Sequence, residues 1–223
     1  MIKKILFSAM LKFVFGIIGI GVLVFLPAGT IVYWNGWLLL GVLFVPMLML
    51  GIVLLVKNPD LLKKRLSAKE TQTEQRSVIR WSAVMFLVGF LVSGLGYRCG
   101  WYVLPKGVSV VSAVCFLCFY SLYFEVLREN PYLSRAVEIQ GNHKVIDSGL
   151  YRIVRHPMYL ITVGLFYTIP LILGSVFSFF VFLWYPFLLV KRIKCEEQLL
   201  EEHLEGYKAY QKKVKYRLLP YLW

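Results

Sequence analysis

The sequence predicts an all-α polytopic membrane protein. It has about five to six transmembrane helices, a C-terminal helical hairpin and a cytoplasmic amphipathic helix. Three observations lead there. Of the 223 residues, 59% are hydrophobic, with a mean hydropathy of +0.68, against about 45–50% apolar for a soluble domain. Only 17% of residues are charged, and most lie between long apolar runs. Of the 25 Lys and Arg, 23 fall in alternate gaps between those runs, as the positive-inside rule orders them. A soluble fold of this size has too little interior to hide so much apolar surface.

A spanning helix needs about 20 mostly apolar residues. Four runs qualify: Ile5–Leu26, Gly36–Val56, Trp81–Gly100 and Val108–Val126. The first begins Met1-Ile-Lys-Lys but is long for a signal-peptide core, so a retained span is expected. A fifth region, Met158–Val190, holds Pro170 and Gly174-Ser175 near its middle. It is too long for one straight span and reads as a hairpin with two short arms. The segment 57–80 reads as a polar cytoplasmic loop with room for a short helix, its charge setting topology or, alternatively, contacting anionic lipid. Residues 191–213 carry Ile193, Leu199, Leu200, Leu204 and Tyr207 at helical spacing, which predicts an amphipathic helix near the inner surface.

The charge pattern places the N- and C-termini in the cytoplasm, at the inner membrane if the source is bacterial. Arg98 and Lys106 are then the only outer basic residues. Tyr33, Trp34, Trp37, Trp101 and Tyr102 are expected as an outer aromatic belt. The net charge of +13 belongs to this topology rather than to nucleic acid. Cys115 and Cys118 have CxxC spacing inside an apolar run, with no second ligand pair, and read as core residues rather than metal ligands. Gly94, Gly96 and Gly100 miss a dinucleotide-binding spacing and lie in a span, where small residues serve close packing. Two regions are expected: 1–126, N-terminal helices with the loop at 57–80, and 127–223, a functional region holding the hairpin 158–190.

Chemistry concentrates in two polar segments. One runs from His143 through Gly149, Tyr151, Arg155, His156 and Pro157 to Tyr159. The other runs from Arg192 through Glu196, Glu197 and Leu200 to Tyr207 and Tyr210. The hairpin joins them, so a tight turn at its tip brings both to one membrane surface. Pro157 suits a first helical turn. Arg155 and that helix N-terminus favour an anionic group such as a carboxylate. Glu196 and Glu197 suit an ammonium or ribose hydroxyls. The alternative is a set of interfacial anchors that snorkel and pair.

His143-x-x-x-x-x-Gly149-x-Tyr151-x-x-x-Arg155-His156-Pro157-x-Tyr159, followed by Arg192-x-x-x-Glu196-Glu197-x-x-Leu200, Tyr207-x-x-Tyr210 and Pro220, resembles the isoprenylcysteine carboxyl methyltransferase family. It looks most like the shorter prokaryotic members and is more distantly similar to membrane phospholipid N-methyltransferases. The resemblance covers roughly residues 130–223. It implies S-adenosylmethionine as cofactor, held by His143, Gly149, Tyr151, Arg155, His156, Tyr159, Glu196 and Glu197. It further implies catalytic roles for Arg155, Glu197 and Lys213, the last standing where eukaryotic enzymes carry an arginine. The implied acceptor is lipophilic, a small molecule or a lipidated substrate met among membrane lipids. A carboxylate acceptor is favoured, with a phospholipid or small amine as the alternative. A non-catalytic membrane protein is the competing class. Transport is disfavoured, because the spans are nearly free of charge away from their ends.

Overall fold

The structure is a computed structural model that describes residues 2–67, 73–101, 103–133 and 144–223. Long apolar helices dominate it. Helix α1 is Ile2–Ala28 and α2 is Trp34–Lys57. Asn58 closes α2 with its backbone N–H on Leu54 O, and its side chain then accepts from Leu61 N at 3.1 Å. One residue thus ends one helix and caps the next, α3 (Pro59–Ser67). Helix α4 is Thr73–Arg98 and α5 is Lys106–Glu129. The short helix for which the segment 57–80 has room is α3, whereas α4 begins eight residues before Trp81, earlier than its apolar run predicts.

The hairpin forms as expected. Helix α6 (Pro157–Ile172) starts on a proline and ends at the turn 173–175. Helix α7 (Val176–Phe182) is capped by Ser175, whose side chain accepts from Ser178 N. A break at 183–184 leads into α8 (Tyr185–His203). The two arms are unequal. α6 has 16 residues, whereas 176–203 is long and apolar enough to cross a membrane. Four further helices share that property: 6–28, 34–57, 76–98 and 106–129. The expected amphipathic helix over 191–213 is divided. Residues 191–203 continue α8, the chain turns at Leu204–Gly206, and α9 (Tyr207–Lys213) follows. Leu204, Tyr207, Tyr210 and Val214 instead form a small apolar cluster of their own.

Packing pairs α5 with α6, α1 with α4, and α4 with both α7 and α8. Gly94 makes the α1–α4 contact possible, since a Cβ there would meet Pro27 and lie 2.9 Å from Val24 O. Large side chains such as Phe7, Phe15, Phe180 and Phe187 face outward, as they do in a lipid solvent. Cys115 and Cys118 join them and are exposed on α5, not in the core as expected. A belt residue moves the other way. Tyr33 is fully buried, stacks on Tyr97 at 4.3 Å and donates to Leu173 O. Trp37 and Trp101 are exposed, and Tyr102 lies outside the described residues.

Two ends of the bundle are distinct. At one, Asn35 Nδ2 donates to Ile172 O at 2.7 Å and to Ser109 Oγ at 2.9 Å, and Leu104 N donates to Gly174 O at 2.9 Å. The hairpin tip, the start of α2 and the turn before α5 therefore share that end. The opposite end gathers α3, residues 144–156 and 191–217, the segments rich in Lys and Arg. It holds the candidate site.

Candidate active site

The two polar segments meet. Arg155 Nε donates to Glu197 Oε1 at 2.6 Å, and His156 Nε2 lies 3.2 Å from the same oxygen. One turn into α6, the Tyr159 hydroxyl donates to Glu196 Oε2 and accepts from Arg192 Nε at 2.8 Å. Tyr159 also stacks on the His156 ring, with centroids 5.6 Å apart. A sequence separation of about 40 residues has become side-chain contact. The reason is local, since α6 and α8 run antiparallel from a shared tip and carry these residues at their far ends.

A third strand of chain completes the arrangement. Residues 214–217 run back under the start of α6. Arg155 N donates to Tyr216 O and His156 N to Arg217 O, both at 2.9 Å, while Arg155 Nη1 reaches Val214 O and Lys215 O. Arg217 Nε closes on Glu197 Oε2 at 2.7 Å. Glu197, 2% exposed, thus sits between two guanidinium groups and an imidazole. A buried carboxylate is tolerable only with such compensation. Two expectations change here. The N–H groups before Pro157 are taken by tail carbonyls, so the α6 terminus offers less to an anion than Pro157 suggested. Arg155 has Nε and Nη1 committed, leaving Nη2 for a ligand.

Above this base lies a cavity of about 560 Å³ bounded by α3, α4, α5, α6, α8 and α9, within the range of small-molecule sites. Its polar wall includes Arg155, His156, Tyr159 and Glu196, with Tyr151 and Tyr207 as aromatic faces. Its other wall is apolar, with Val78, Ile79 and Phe86 of α4 facing Phe166 of α6. Burial raises the phenols of Tyr151, Tyr207 and Tyr210 well above their ordinary value, so all three are neutral hydroxyls. Tyr151 accepts from Asn130 at 3.1 Å, and Tyr210 donates to Tyr151 O at 2.7 Å. The Tyr207 hydroxyl is buried with no partner among the described residues.

The sequence-predicted residues divide into three groups. Tyr151, Arg155, His156, Tyr159 and Glu196 line the cavity. Glu197, Gly149 and Lys213 do not: Glu197 lies behind the wall, and Lys213 is exposed and pairs with Asp147 at 2.8 Å. Gly149, with φ +48°, does permit a close approach, but by Glu129, whose carboxylate accepts from Leu150 N at 3.3 Å. A Cβ on Gly149 would fall 1.5 Å from Glu129 Oε1. His143 lies outside the described residues. Sequence reasoning placed Arg192, Tyr207 and Tyr210 in the second polar segment without giving them a role of their own, and it missed Arg217. The first three were visible as the i−4 neighbour of Glu196 and as an i, i+3 tyrosine pair, whereas nothing local marks Arg217.

Residues 110–202 match the model of the isoprenylcysteine carboxyl methyltransferase (ICMT) family. The match supports membership of that family. It begins within α5, upstream of the expected boundary at 127, and takes in the hairpin, the first polar segment and the second as far as Glu202. A Delta(14)-sterol reductase from Mus musculus is also similar, 26% identical over 135 residues. That alignment covers 53% of this chain and 32% of the reductase, so the chain spans about a third of that relative's length.

Proposed function

We propose that this protein is an S-adenosylmethionine-dependent methyltransferase, acting at the cytoplasmic face on a lipophilic acceptor that bears a carboxylate. The observation that carries this reading is the two-sided cavity, to which the ICMT-matched hairpin region contributes most of the polar wall, beside a buried Tyr207 hydroxyl with no partner among the described residues. A buried hydroxyl without a partner is costly unless a ligand satisfies it. The wall also offers both signs of charge, as a zwitterionic donor requires.

Within that wall Glu196 and Tyr159 face an ammonium or ribose, Arg155 Nη2 a carboxylate, and the tyrosine rings an adenine face. Bound there, S-adenosylmethionine supplies an electrophilic methyl group. The chain's own part is alignment, worth up to about 7–11 kcal/mol in favourable cases. The apolar wall of α4 and α6 excludes water and receives the acceptor's hydrocarbon. A carboxylate is already nucleophilic, so no acid–base pair is required; an amine acceptor would need a base. Glu197 serves this scheme as a positioning residue, because its oxygens hold Arg155, His156 and Arg217 in place.

Equilibrium binding of labelled S-adenosylmethionine to the purified protein tests the reading. Glu196→Gln and Arg155→Ala should each weaken binding at least about tenfold, some 1.4 kcal/mol. Wild-type affinity in both variants would remove the pocket assignment. The similarity to a sterol reductase favours a second reading, reduction of an apolar ring in the same cavity. Saturable binding of a reduced nicotinamide dinucleotide, with none of S-adenosylmethionine, would select it.

A further inference from the structure

We infer that Arg65, outside the family-matched segment, is the anion receptor of the acceptor site. It would select a lipophile carrying a negative charge over its neutral ester. The inference rests on the proposed methyl transfer to a carboxylate. Arg65 lies on α3 and lines the same cavity as Tyr159 and Glu196. Its Nη2 donates to the Tyr123 hydroxyl, and its guanidinium carbon lies 5.5 Å from the centre of that ring. Its Nη1 is buried and has no hydrogen-bond partner among the described residues. A guanidinium is charged at every physiological pH and presents a planar fork matched to a carboxylate. One tine of the fork is fixed by Tyr123, and the other has no acceptor among the described residues.

The placement is built rather than incidental. The Asn58 cap starts α3, and Leu61 and Leu62 bury against Leu54 of α2. Arg65 follows Leu61 by four residues and so shares its inward face. The surroundings are those of an amphiphile's polar end, since Val78, Ile79, Phe86 and Phe166 carry the cavity onward as an apolar wall. Among the described residues no carboxylate pairs with Arg65. Lys213, the residue that the family resemblance would place near the reacting end, is instead exposed and held by Asp147. Methylation converts a carboxylate into a neutral ester, so a charge receptor here would hold the acceptor and let the product go.

The test uses the full chain in nanodiscs of zwitterionic phosphatidylcholine. Affinities are measured for a farnesyl thioether carboxylic acid and for its methyl ester. The wild type should bind the acid at least about tenfold more tightly than the ester. Arg65→Gln should bring the two within about twofold of each other while leaving ester and labelled S-adenosylmethionine binding unchanged. Arg65→Lys, which keeps the charge and loses the fork, should be intermediate and also serves if the glutamine variant does not fold. An acid preference that survives Arg65→Gln, or is absent from the wild type, overturns the inference. So does loss of that preference when phosphatidylglycerol is added, since Arg65 would then be reading bilayer headgroups. Failure of the wild type to bind S-adenosylmethionine would instead overturn the proposed function, and is read separately.

Discussion

Glu197 is the residue on which the candidate site's base depends. It bridges α8, the start of α6 and the tail 214–217 through Arg155, His156 and Arg217. Glu197→Gln would leave two guanidinium groups without a buried counter-charge, a loss of about 3–5 kcal/mol by analogy with other buried pairs. A lower thermal midpoint in detergent, together with protease sensitivity at residues 214–217, is the expected result. Lys213 is the contrasting case. Its hydrogen bond holds the Asp147 carboxyl below its ordinary value, but both partners are exposed. A depressed carboxylate stabilises the fold above its unfolded pKa and loses that contribution as pH falls through the folded value. Lys213→Ala should therefore raise the Asp147 pKa, read by NMR titration, and leave S-adenosylmethionine affinity at neutral pH within about twofold.

At the scale of elements, the turn before α6 is fixed by a side chain rather than by ligand. Gly149→Ala would place a methyl group inside the Glu129 carboxylate and strain a left-handed backbone. The substitution should destabilise by about 1–3 kcal/mol, and Glu129→Ala should recover part of that loss in a double-mutant cycle. Melting curves of the four proteins supply the measurement. The same region shows what the sequence conveyed and what it withheld. The hairpin was legible, because Pro170 and Gly174-Ser175 interrupt an apolar run too long for one span. The contact of Tyr159 with Glu196 followed from that fold-back. The role of Gly149 was not legible, because its neighbour Glu129 lies 20 residues away, across a segment without periodicity. The division of 191–213 was equally hidden. Its apolar spacing continues through Leu204, and only the hydrogen bond of Tyr210 to Tyr151 and the clustering of Tyr207 with Leu204 and Val214 reveal the break.

For the whole molecule, hydropathy and charge were sufficient for the architecture, since a bilayer constrains long apolar helices more strongly than water does. They say nothing of which helices touch, so the contributions of α3 and α4 to a cavity otherwise built from 123–210 had no local signature. Orientation is the testable consequence of the charge asymmetry. With all four native cysteines replaced, a membrane-impermeant maleimide should label Lys106→Cys in intact cells and Lys212→Cys only after permeabilisation. The reverse pattern would place the site on the outer face.

The base of the site joins α6 to residues 214–217, while its apolar wall comes from α4. These parts leave the ribosome far apart in time. The membrane bundle can therefore assemble first and stand with an unfinished floor until Arg217 emerges and meets Glu197. Nascent chains arrested before that residue should be inserted and helical, yet unable to retain a ligand.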